Sequence, residues 1–574
     1  MGNYRGYIKK YYKPFSIALL FLMLEAICDL MQPTIMAKII DVGIANRDLD
    51  YVLRMGAVML GVTLLGGVAA STRSILASIT SQNFGAELRL DLFRRIQTLS
   101  FKRINNYDRA SLITRLTNDV TQVQLFVNGL MRIYIKAPLL AIGGLIMATT
   151  LNIHLSVVLM VVVPIIVVLL ITNIKLSIPR FAKLQNALDR VNGSMRDYLS
   201  GVRVVKAFNR FNYETAKFSR FNDELQDKSV AATRVIAIFS PIIMLVMNVG
   251  IVAVLWIGGH GVESGTIQVG HVVAFTNYMT QILFSLMMIS MVFNMFVRAR
   301  TSAGRIGEVL GEKNDMTWTE EQFVSNQGGK IDFENVSFSY NETSQEPVLK
   351  NVTFTCMPGE TLGIIGKTGA GKSSLVSLIP RLYDATSGTI KLNDSDIREI
   401  EPKAIRERIA IVAQKAMLFT GTIGDNIRWG REDASEEEVQ LAAEMADANG
   451  FIQRSKAGYE TEIGQGGVNL SGGQKQRVSI ARALIKQPEI LILDDSTSAV
   501  DMATEAKIKQ SLERYANNIT CILVSQRIST VADADRILVV DNGEIVGNGK
   551  HEELLQTCQA YKEIYESQFE KEVR

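Results

Sequence analysis

The chain has 574 residues, too many for one hydrophobic core, so at least two domains are expected. Its residues are 47% hydrophobic and its formal net charge is +3, which gives no reason to expect a nucleic-acid partner. The four cysteines and four histidines are scattered without metal-ligand spacing, so we interpret the cysteines as reduced and structural. The apolar residues are concentrated in the first half, which predicts a membrane domain followed by a soluble domain.

Six stretches of the first half are apolar enough and long enough to cross a bilayer, which takes about 20 residues each. Two of the connections between them, 73–132 and 175–234, are long and rich in Lys and Arg, whereas the other three are short and poor in both. The positive-inside bias therefore predicts a multi-pass protein of the plasma (inner) membrane, in contact with lipid, with both termini and the soluble domain in the cytoplasm. The expected spans are Phe15–Ile40, Gly56–Ala77, Ile133–Leu151, Leu155–Ile174, Ile236–Gly258 and His271–Phe296.

The two long connections are polar and low in Gly and Pro, which favours helical hairpins that continue the membrane helices. Arms of about 30 residues reach roughly 45 Å from the membrane. The expected turns lie near Asn105–Ser111 and Phe208–Tyr213, where they are suited to touching a soluble domain. Ahead of the first span, Tyr4–Phe15 mixes Tyr and Lys in a way typical of an interfacial helix.

Two groups of residues inside the spans are candidates for substrate binding. Glu25 and Asp29 share one face of the first span, where they are suited either to a cationic substrate or to pairing with a basic residue such as Lys38 or one from a partner chain. The last span carries a row of methionines that includes Met287 and Met291. Thioethers repack around varied apolar ligands, although methionine in membrane helices also serves as plain packing.

In the second half, a buried apolar strand runs into the sequence GKTGAGKSS and then into a helical pattern. This is a phosphate-binding loop in its expected context, since Gly residues let successive N–H groups point at phosphate oxygens at the start of a helix. Lys372 is placed to reach the β- and γ-phosphates of ATP, and Ser373 to ligate Mg²⁺. The loop comprises Gly366, Lys367, Thr368, Gly369, Ala370, Gly371, Lys372, Ser373 and Ser374.

Further polar groups follow predicted strands or open a helix. Tyr340 ends an alternating strand and is a candidate for stacking on adenine, with a core tyrosine as the alternative. Asp494 ends the buried strand ILILD and is a candidate Mg²⁺ ligand. The motif LSGGQ opens a helix, so its N–H groups and the Ser471 hydroxyl predict a second anion site. The motif's other candidate binding positions are Gly472, Gly473 and Gln474.

The order of these motifs resembles the ATPase domain of ABC transporters, and six spans ahead of one such domain resemble an ABC exporter half-transporter. The resemblance implies an α-helical transmembrane bundle of six spans followed by an α/β P-loop ATPase domain. Polar, mixed-charge sequence between Arg300 and Gly329 predicts a linker, so we assign 1–300 to the membrane domain, 301–328 to the linker and 329–574 to the ATP-binding cassette. The resemblance also implies that two ATPase domains meet head to tail, with ATP between one phosphate loop and the other signature. Gln414 is then a Mg²⁺ and water sensor, and Asp501 belongs to the loop after the Mg²⁺ aspartate.

Two positions depart from the family. The catalytic carboxylate, normally Glu, is Asp495, and the residue at the end of the next predicted strand, normally His, is Gln526. Both changes predict an impaired catalytic site, whereas the phosphate loop and the signature are intact. We therefore expect a heterodimer in which a second, non-identical half-transporter carries Glu and His at these positions. The expected substrate is a drug or another amphiphile; a lipid or peptide exporter subunit and a nucleotide-gated regulatory or channel subunit are the alternatives.

Overall fold

A computed structural model describes residues 4–312, 314–318, 328–340, 346–496, 500–515 and 519–569, except for the side chains at 290, 293, 294, 514, 515 and 569. The chain forms two compact units. The membrane unit comprises Met1–Gln97 and Asp108–Glu312, and the ATPase unit comprises Thr98–Tyr107 and Lys313–Arg574. The short segment 98–107 is thus the turn of the first predicted hairpin, and it groups with the second half of the chain.

Long helices make up the membrane unit, and in the described residues six of them are long and apolar enough to cross a membrane, in agreement with the six predicted spans. The helices Leu49–Thr98, Ile153–Ser200 and Phe211–Glu263 extend far beyond the predicted spans, as the hairpin interpretation predicts. In chain order they are α1 (Arg5–Lys38), α2 (Leu49–Thr98), α3 (Phe101–Asn105, in the ATPase unit), α4 (Arg109–Thr114), α5 (Val120–Gly129), α6 (Lys136–Leu151), α7 (Ile153–Ser200), α8 (Val202–Ala207), α9 (Phe211–Glu263) and α10 (Val269–Gly311).

Short π-helical stretches interrupt this regular pattern. Ile39–Ile44 continues α1, while Arg115–Asp119 and Leu130–Tyr134 join α4, α5 and α6 into one continuous run. Extra residues in a turn of this kind re-aim the side chains that follow, and such bulges are frequent at functional sites. Lys136 comes two residues after the third of these stretches and begins α6, inside the predicted third span.

The last long helix ends later than the sequence suggested. The predicted linker starts at residue 301, but 301–311 continue α10. The physical reason is a buried stripe at helical spacing, formed by Ser302, Ile306 and Val309, within a segment that is otherwise polar. Residues 319–327 of the predicted linker lie outside the described residues.

In the ATPase unit, apolar strands alternate with helices, as expected for an α/β domain. The strands are β1 (Ile331–Phe338), β2 (Leu349–Cys356), β3 (Thr361–Ile365), β4 (Ser387–Leu392), β5 (Ser395–Asp396), β6 (Ile409–Val412), β7 (Gly421–Thr422), β8 (Glu462–Ile463), β9 (Ile490–Asp494), β10 (Thr520–Ser525), β11 (Arg536–Asp541) and β12 (Glu544–Gly549). The helices are α11 (Lys372–Leu378), α12 (Pro402–Arg408), α13 (Ile423–Arg428), α14 (Glu436–Met445), α15 (Asn449–Arg454), α16 (Gly472–Leu484), α17 (Met502–Tyr515), α18 (Ile528–Val531), α19 (His551–Thr557) and α20 (Gln559–Phe569), with short 3₁₀ turns at Gly458–Glu460 and Gln465–Gly467.

The main sheet has the strand order β12-β11-β3-β10-β9-β6, and β2-β1-β4-β5 forms a second sheet. Strands β11, β3, β10, β9 and β6 run parallel, so their carboxyl ends lie along one edge. The continuous apolar sequences of β3, β9 and β10 fit strands covered on both faces. The polar residues that follow these strands are therefore brought together at that edge, where ligands bind in parallel α/β sheets.

Candidate functional site

The phosphate loop connects β3 to α11 and is shaped by its glycines. Gly369 and Gly371 have φ of +85° and +104°, a left-handed conformation that strongly favours Gly. A Cβ on Gly366 would collide with the backbone carbonyl of Val540, so this position has no room for a side chain. The tight loop places several backbone N–H groups at the start of α11, which is the arrangement that binds phosphate.

Lys372 is buried at the centre of this loop. Its Nζ donates hydrogen bonds to the carbonyl oxygens of Gly366 at 2.7 Å and Lys367 at 3.0 Å. Burial lowers the pKa of the Lys372 amine, and the neighbouring carboxylates of Asp495 and Asp494 partly oppose this shift. A buried ammonium whose partners are mainly neutral carbonyls is well prepared to gain a phosphate counter-charge.

The candidate metal ligands Ser373 and Asp494 lie next to each other. The Ser373 hydroxyl donates a hydrogen bond to Oδ1 of Asp494 at 3.1 Å. Burial raises the pKa of the Asp494 carboxyl, and the charge of Asp495 acts in the same direction. A hydroxyl and a carboxylate are the hard oxygen ligands that Mg²⁺ prefers, and a cation would relieve the repulsion between the two aspartates. These residues therefore fit a Mg²⁺ ion accompanying bound ATP.

Asp495 comes directly after β9 and adopts a left-handed backbone with φ of +47°. Its N–H donates to the carbonyl of Val524 on β10 at 2.8 Å, which fixes the turn. Its Oδ2 accepts a hydrogen bond from Nε2 of Gln414, which follows β6, at 3.0 Å. The structure thus brings the predicted catalytic carboxylate and the predicted water sensor into direct contact.

Gln526 follows β10 and lies against the phosphate loop. Its Oε1 accepts a hydrogen bond from the hydroxyl of Thr368 at 3.1 Å. Its backbone carbonyl accepts from Nε2 of Gln568 at 2.7 Å, which ties the turn to α20. An uncharged amide therefore lies at the edge of the predicted phosphate-binding loop.

Tyr340 is 43% exposed, so part of its ring is available for stacking. Its hydroxyl shares a hydrogen bond with that of Ser374 at 2.8 Å, which joins the ring to the first turn of α11. The rings of Phe338 and Tyr383 contact it nearly perpendicularly, with centroids at 4.8 and 5.3 Å. The side chain is therefore oriented by neighbours on two sides rather than buried in the core.

The signature motif begins α16 with a capping box. The Ser471 side chain accepts from the Gln474 N–H at 3.3 Å, and the Gln474 side chain accepts from the Ser471 N–H at 2.9 Å. The N–H groups of Gly472 and Gly473 lie in the first helical turn, where N–H groups have no partner within the helix. The Ser471 hydroxyl keeps its own proton for donation, so this helix start is suited to an anion as predicted.

Within one chain, the signature and the phosphate loop rest on different hydrophobic clusters. Val478 and Ile480 of α16 belong to a cluster with α13 and α14, whereas Leu375 and Val376 of α11 belong to the cluster between the two larger sheets.

The predicted loop residue Asp501 caps α17 by accepting hydrogen bonds from the N–H and the hydroxyl of Thr504, both at 2.9 Å. Hydrogen bonds to the backbone and side chain of Thr504 lower the pKa of Asp501.

The two acidic residues of the first span are paired within the chain. Glu25 accepts from Nε of Arg73 at 2.6 Å and from Nζ of Lys136 at 2.5 Å, and Asp29 pairs with the same Lys136 at 2.9 Å. Arg73 and Glu25 are both buried. The arrangement favours the structural interpretation, although the partners are Arg73 and Lys136 rather than the suggested Lys38. Lys136 lies inside a predicted span, and a cationic residue at that position was the available signal for a partner of Glu25 and Asp29.

Replacing Glu25 with Gln is expected to destabilise the membrane unit by about 3 kcal/mol, because it removes one partner of a buried ion pair and leaves Arg73 without a carboxylate. Asp29→Asn is the matched control, and its effect should be smaller because Asp29 is partly exposed and shares Lys136 with Glu25. Thermal unfolding of the solubilised full-length chain, followed by size-exclusion chromatography, measures both. A Glu25→Gln chain as stable as the wild type but deficient in transport would instead support the substrate role.

Met287 and Met291 lie on α10 and are both exposed within the chain, at 40% and 70%. Met279, in contrast, is buried against α7 and α9. Most of Met291 and two-fifths of Met287 are thus accessible and available for other contacts. Their role as ligand-binding residues stays a prediction.

The sequence did not single out Tyr383, whose ring contacts both Tyr340 and Phe101 of α3. It follows α11 in an irregular segment with no period or motif of its own, so its placement required the fold. The available signal was weak, namely an aromatic residue close to the phosphate-loop helix.

Comparisons with known proteins agree with this geometry. Residues 15–287 match the family model of the ABC transporter transmembrane region, and residues 349–498 match the family model described as ABC transporter. An uncharacterized ABC transporter ATP-binding protein, YfiB of Bacillus subtilis, is 42% identical over 99% of this chain and 98% of its own length. The putative multidrug export ATP-binding/permease protein YgaD of the same organism is 32% identical over 98% of each.

The chain belongs to the ABC transporters. A solved bacterial Atm1-family ABC exporter with ATP bound superimposes with a TM-score of 0.81 and 26% identity over 99% of both chains. The resemblance inferred from the motifs is therefore confirmed, as is the fold class of six spans followed by an α/β ATPase domain. As an ABC exporter half-transporter, the protein is a multi-pass membrane protein whose ATPase domain binds ATP and couples its hydrolysis to transport.

Proposed function

We propose that this ABC half-transporter is one subunit of a heterodimeric exporter, in which it binds MgATP at a catalytically impaired site and completes the partner's competent site with its own signature. The observation that carries the proposal is the pairing of an ordered nucleotide site with two altered catalytic positions. Lys372, Ser373 and Asp494 are arranged for MgATP, whereas Asp495 and Gln526 replace the family's Glu and His.

Asp495 is one methylene shorter than Glu, which withdraws its carboxylate from the water that it would orient. Its Oδ2 is already engaged by the Gln414 amide. A displacement of about 1 Å from a productive position costs on the order of 100-fold in rate. Substitution at this position therefore reduces hydrolysis much more than ATP binding, because it leaves the phosphate loop unaltered.

Gln526 lacks the chemistry of an imidazole. Its Oε1 accepts from the Thr368 hydroxyl, so the amide is oriented towards the phosphate loop and remains able to hydrogen-bond. An amide does not carry the positive charge of a protonated histidine near the γ-phosphate, and it does not titrate near neutral pH. The same site thus loses charge stabilisation of the transition state as well as control of the water.

The signature supports the second half of the proposal. The capping box of Ser471 and Gln474 orders the start of α16, and Gly472 and Gly473 leave the backbone accessible. In the head-to-tail dimer that the family implies, this motif would face the phosphate loop of the opposite subunit. A partner with Glu and His would then hydrolyse ATP against this intact signature.

The transported substrate is proposed to be a drug or another amphiphile, moved out of the cell by alternating access. One relative, YgaD, is named as a putative multidrug exporter. The basic long connections orient the ATPase unit and both termini towards the cytoplasm of a plasma (inner) membrane. The substrate would contact membrane helices such as α10, whose exposed Met287 and Met291 suit varied apolar ligands.

The proposal is tested by reconstituting the full-length chain in vesicles, alone and with a half-transporter that has Glu and His at the two positions. Alone, the chain should bind MgATP but hydrolyse it on the order of 100-fold more slowly than the mixed pair. Ser471→Arg in this chain should abolish turnover by the pair, since it blocks the signature, whereas Ser455→Arg, also within the ATPase unit, should not. Rapid ATP turnover by the chain alone would contradict the proposal.

A further inference from the structure

Tyr383 lies between the candidate adenine platform and the tip of the first helical hairpin. Its ring contacts that of Tyr340 at 5.3 Å between centroids, with an interplanar angle of 89°. On its other side, the ring of Phe101 lies 6.1 Å away. The Tyr383 hydroxyl accepts a hydrogen bond from Nδ2 of Asn105 at 2.8 Å. One side chain therefore contacts both the nucleotide site and α3.

The hairpin tip has further attachments within the ATPase unit. The ion pair of Arg103 with Asp315 has an N–O distance of 3.5 Å, and the Thr98 carbonyl accepts from Nδ2 of Asn314 at 3.1 Å. The partners in both contacts, Asp315 and Asn314, lie in the segment that precedes the first strand of the ATPase unit. Among these attachments, those made through Tyr383 lead from the tip towards the candidate nucleotide site at Tyr340.

We propose that Tyr383 is a positioning residue through which the hairpin tip 98–107 responds to the nucleotide base at Tyr340, in addition to the phosphates. This rests on the proposed binding of ATP with its adenine on Tyr340. The prediction that follows is specific: a triphosphate with a poorly stacking base should fill the phosphate loop yet leave the tip largely unchanged.

The physical basis is the way in which the Tyr340 ring is held. Its hydroxyl is bonded to Ser374, so the tip of the side chain is anchored and the ring can adjust mainly by rotation. A purine stacked on this ring selects one orientation, because offset stacking is favourable only within a narrow geometry. The perpendicular contact with Tyr383 depends on that orientation, and the Asn105 hydrogen bond transmits any shift of Tyr383 to α3.

Burial raises the pKa of the Tyr383 hydroxyl, so the group stays protonated at neutral pH and remains available for hydrogen bonding. Tyr383 is also packed against the core cluster of the two sheets, which limits its alternative positions. A side chain restricted in this way passes on a displacement at one end to the other end, because a densely packed interior yields little.

Hydrogen–deuterium exchange of the full-length chain in lipid nanodiscs tests this proposal. ATP or UTP is added without Mg²⁺ at concentrations that give equal occupancy, and exchange is measured for the amides of 99–107. In the wild type, ATP should slow this exchange about 5-fold more than UTP does, which is the effect expected for one ordered hydrogen bond. Tyr383→Leu should remove the difference between the two nucleotides while ATP still binds.

Two milder variants distinguish loss of the hydrogen bond between Tyr383 and Asn105 from loss of folding. Tyr383→Phe and Asn105→Ala each remove the same hydrogen bond, so each should reduce the difference to a similar extent, and the double variant should reduce it no further. Tyr459→Phe is the matched control, because the Tyr459 hydroxyl donates to Asn449 elsewhere in the ATPase unit. That variant should behave as the wild type, and exchange in β3 and β9 reports whether each variant is folded.

Equal effects of ATP and UTP at equal occupancy would overturn the proposal, as would a wild-type difference that persists in a folded Tyr383→Leu chain. Failure to bind ATP in the titration would instead overturn the proposed function. The two failures are distinguishable because occupancy and exchange are measured separately on the same sample.

Discussion

Replacing Lys372 with Ala should weaken ATP binding by on the order of 100-fold, since it removes charge-assisted hydrogen bonds to the phosphates. The structure explains why the loss should be large. The ammonium is buried and lies within the loop itself, held by the carbonyls of Gly366 and Lys367. Its position is thus fixed before the nucleotide arrives, and little conformational entropy is lost on binding. Equilibrium binding of a fluorescent ATP analogue to the full-length chain measures the effect.

Lys367→Ala provides a matched control in the same loop. The Lys367 side chain is exposed and forms an ion pair with Glu563 at 3.3 Å, so its ammonium is directed away from the loop centre. Its removal should change ATP affinity by less than about 3-fold, as expected for a surface ion pair. Equal losses in the two variants would mean that affinity depends on the general charge of the loop rather than on the position of Lys372.

Most of the nucleotide site could be predicted from the sequence, because each of its residues follows a strongly patterned element. The apolar strands before Gly366, Asp494 and Gln526 are unmistakable, and parallel strands place their carboxyl ends along one edge. Local pattern together with one topological rule was therefore enough to bring these groups together. The sequence also predicted six spans, since the thickness of the bilayer sets the minimum length of each apolar stretch.

The remaining contacts depend on packing between distant segments, which local patterns do not encode. Nothing in the sequence pairs Asn105 with Tyr383, whose positions are 278 residues apart. The partners of Glu25 were likewise predicted only as a class, a basic residue on another helix, since the rotation of each helix about its axis is set by its neighbours. The predicted start of the linker at residue 301 was wrong for a related reason. The buried stripe that contains Ile306 is short and surrounded by polar residues, so the sequence did not reveal that α10 continues there.

Changing Asp495 to Glu and Gln526 to His together should increase ATP hydrolysis at this chain's own phosphate loop by on the order of 100-fold. The geometry gives each new side chain a partner. A glutamate at 495 begins from a backbone fixed by the bond to Val524, within reach of Gln414, and a histidine at 526 begins beside Thr368. The longer carboxylate restores the reach towards the attacking water, and the imidazole restores a group able to carry charge near the γ-phosphate.

Single-turnover hydrolysis by the purified full-length chain is the appropriate measurement, because it follows chemistry at bound ATP without a contribution from product release. Asp495→Gln with Gln526→His is the control: it keeps the length of the glutamate side chain but removes its charge, and it should show no gain. ATP affinity should change little in either variant, since Lys372 and the loop glycines are untouched. If the Glu and His variant binds ATP normally and hydrolyses it no faster, then the two substitutions are not what limits this site, and the division of labour between two unlike subunits loses its physical basis.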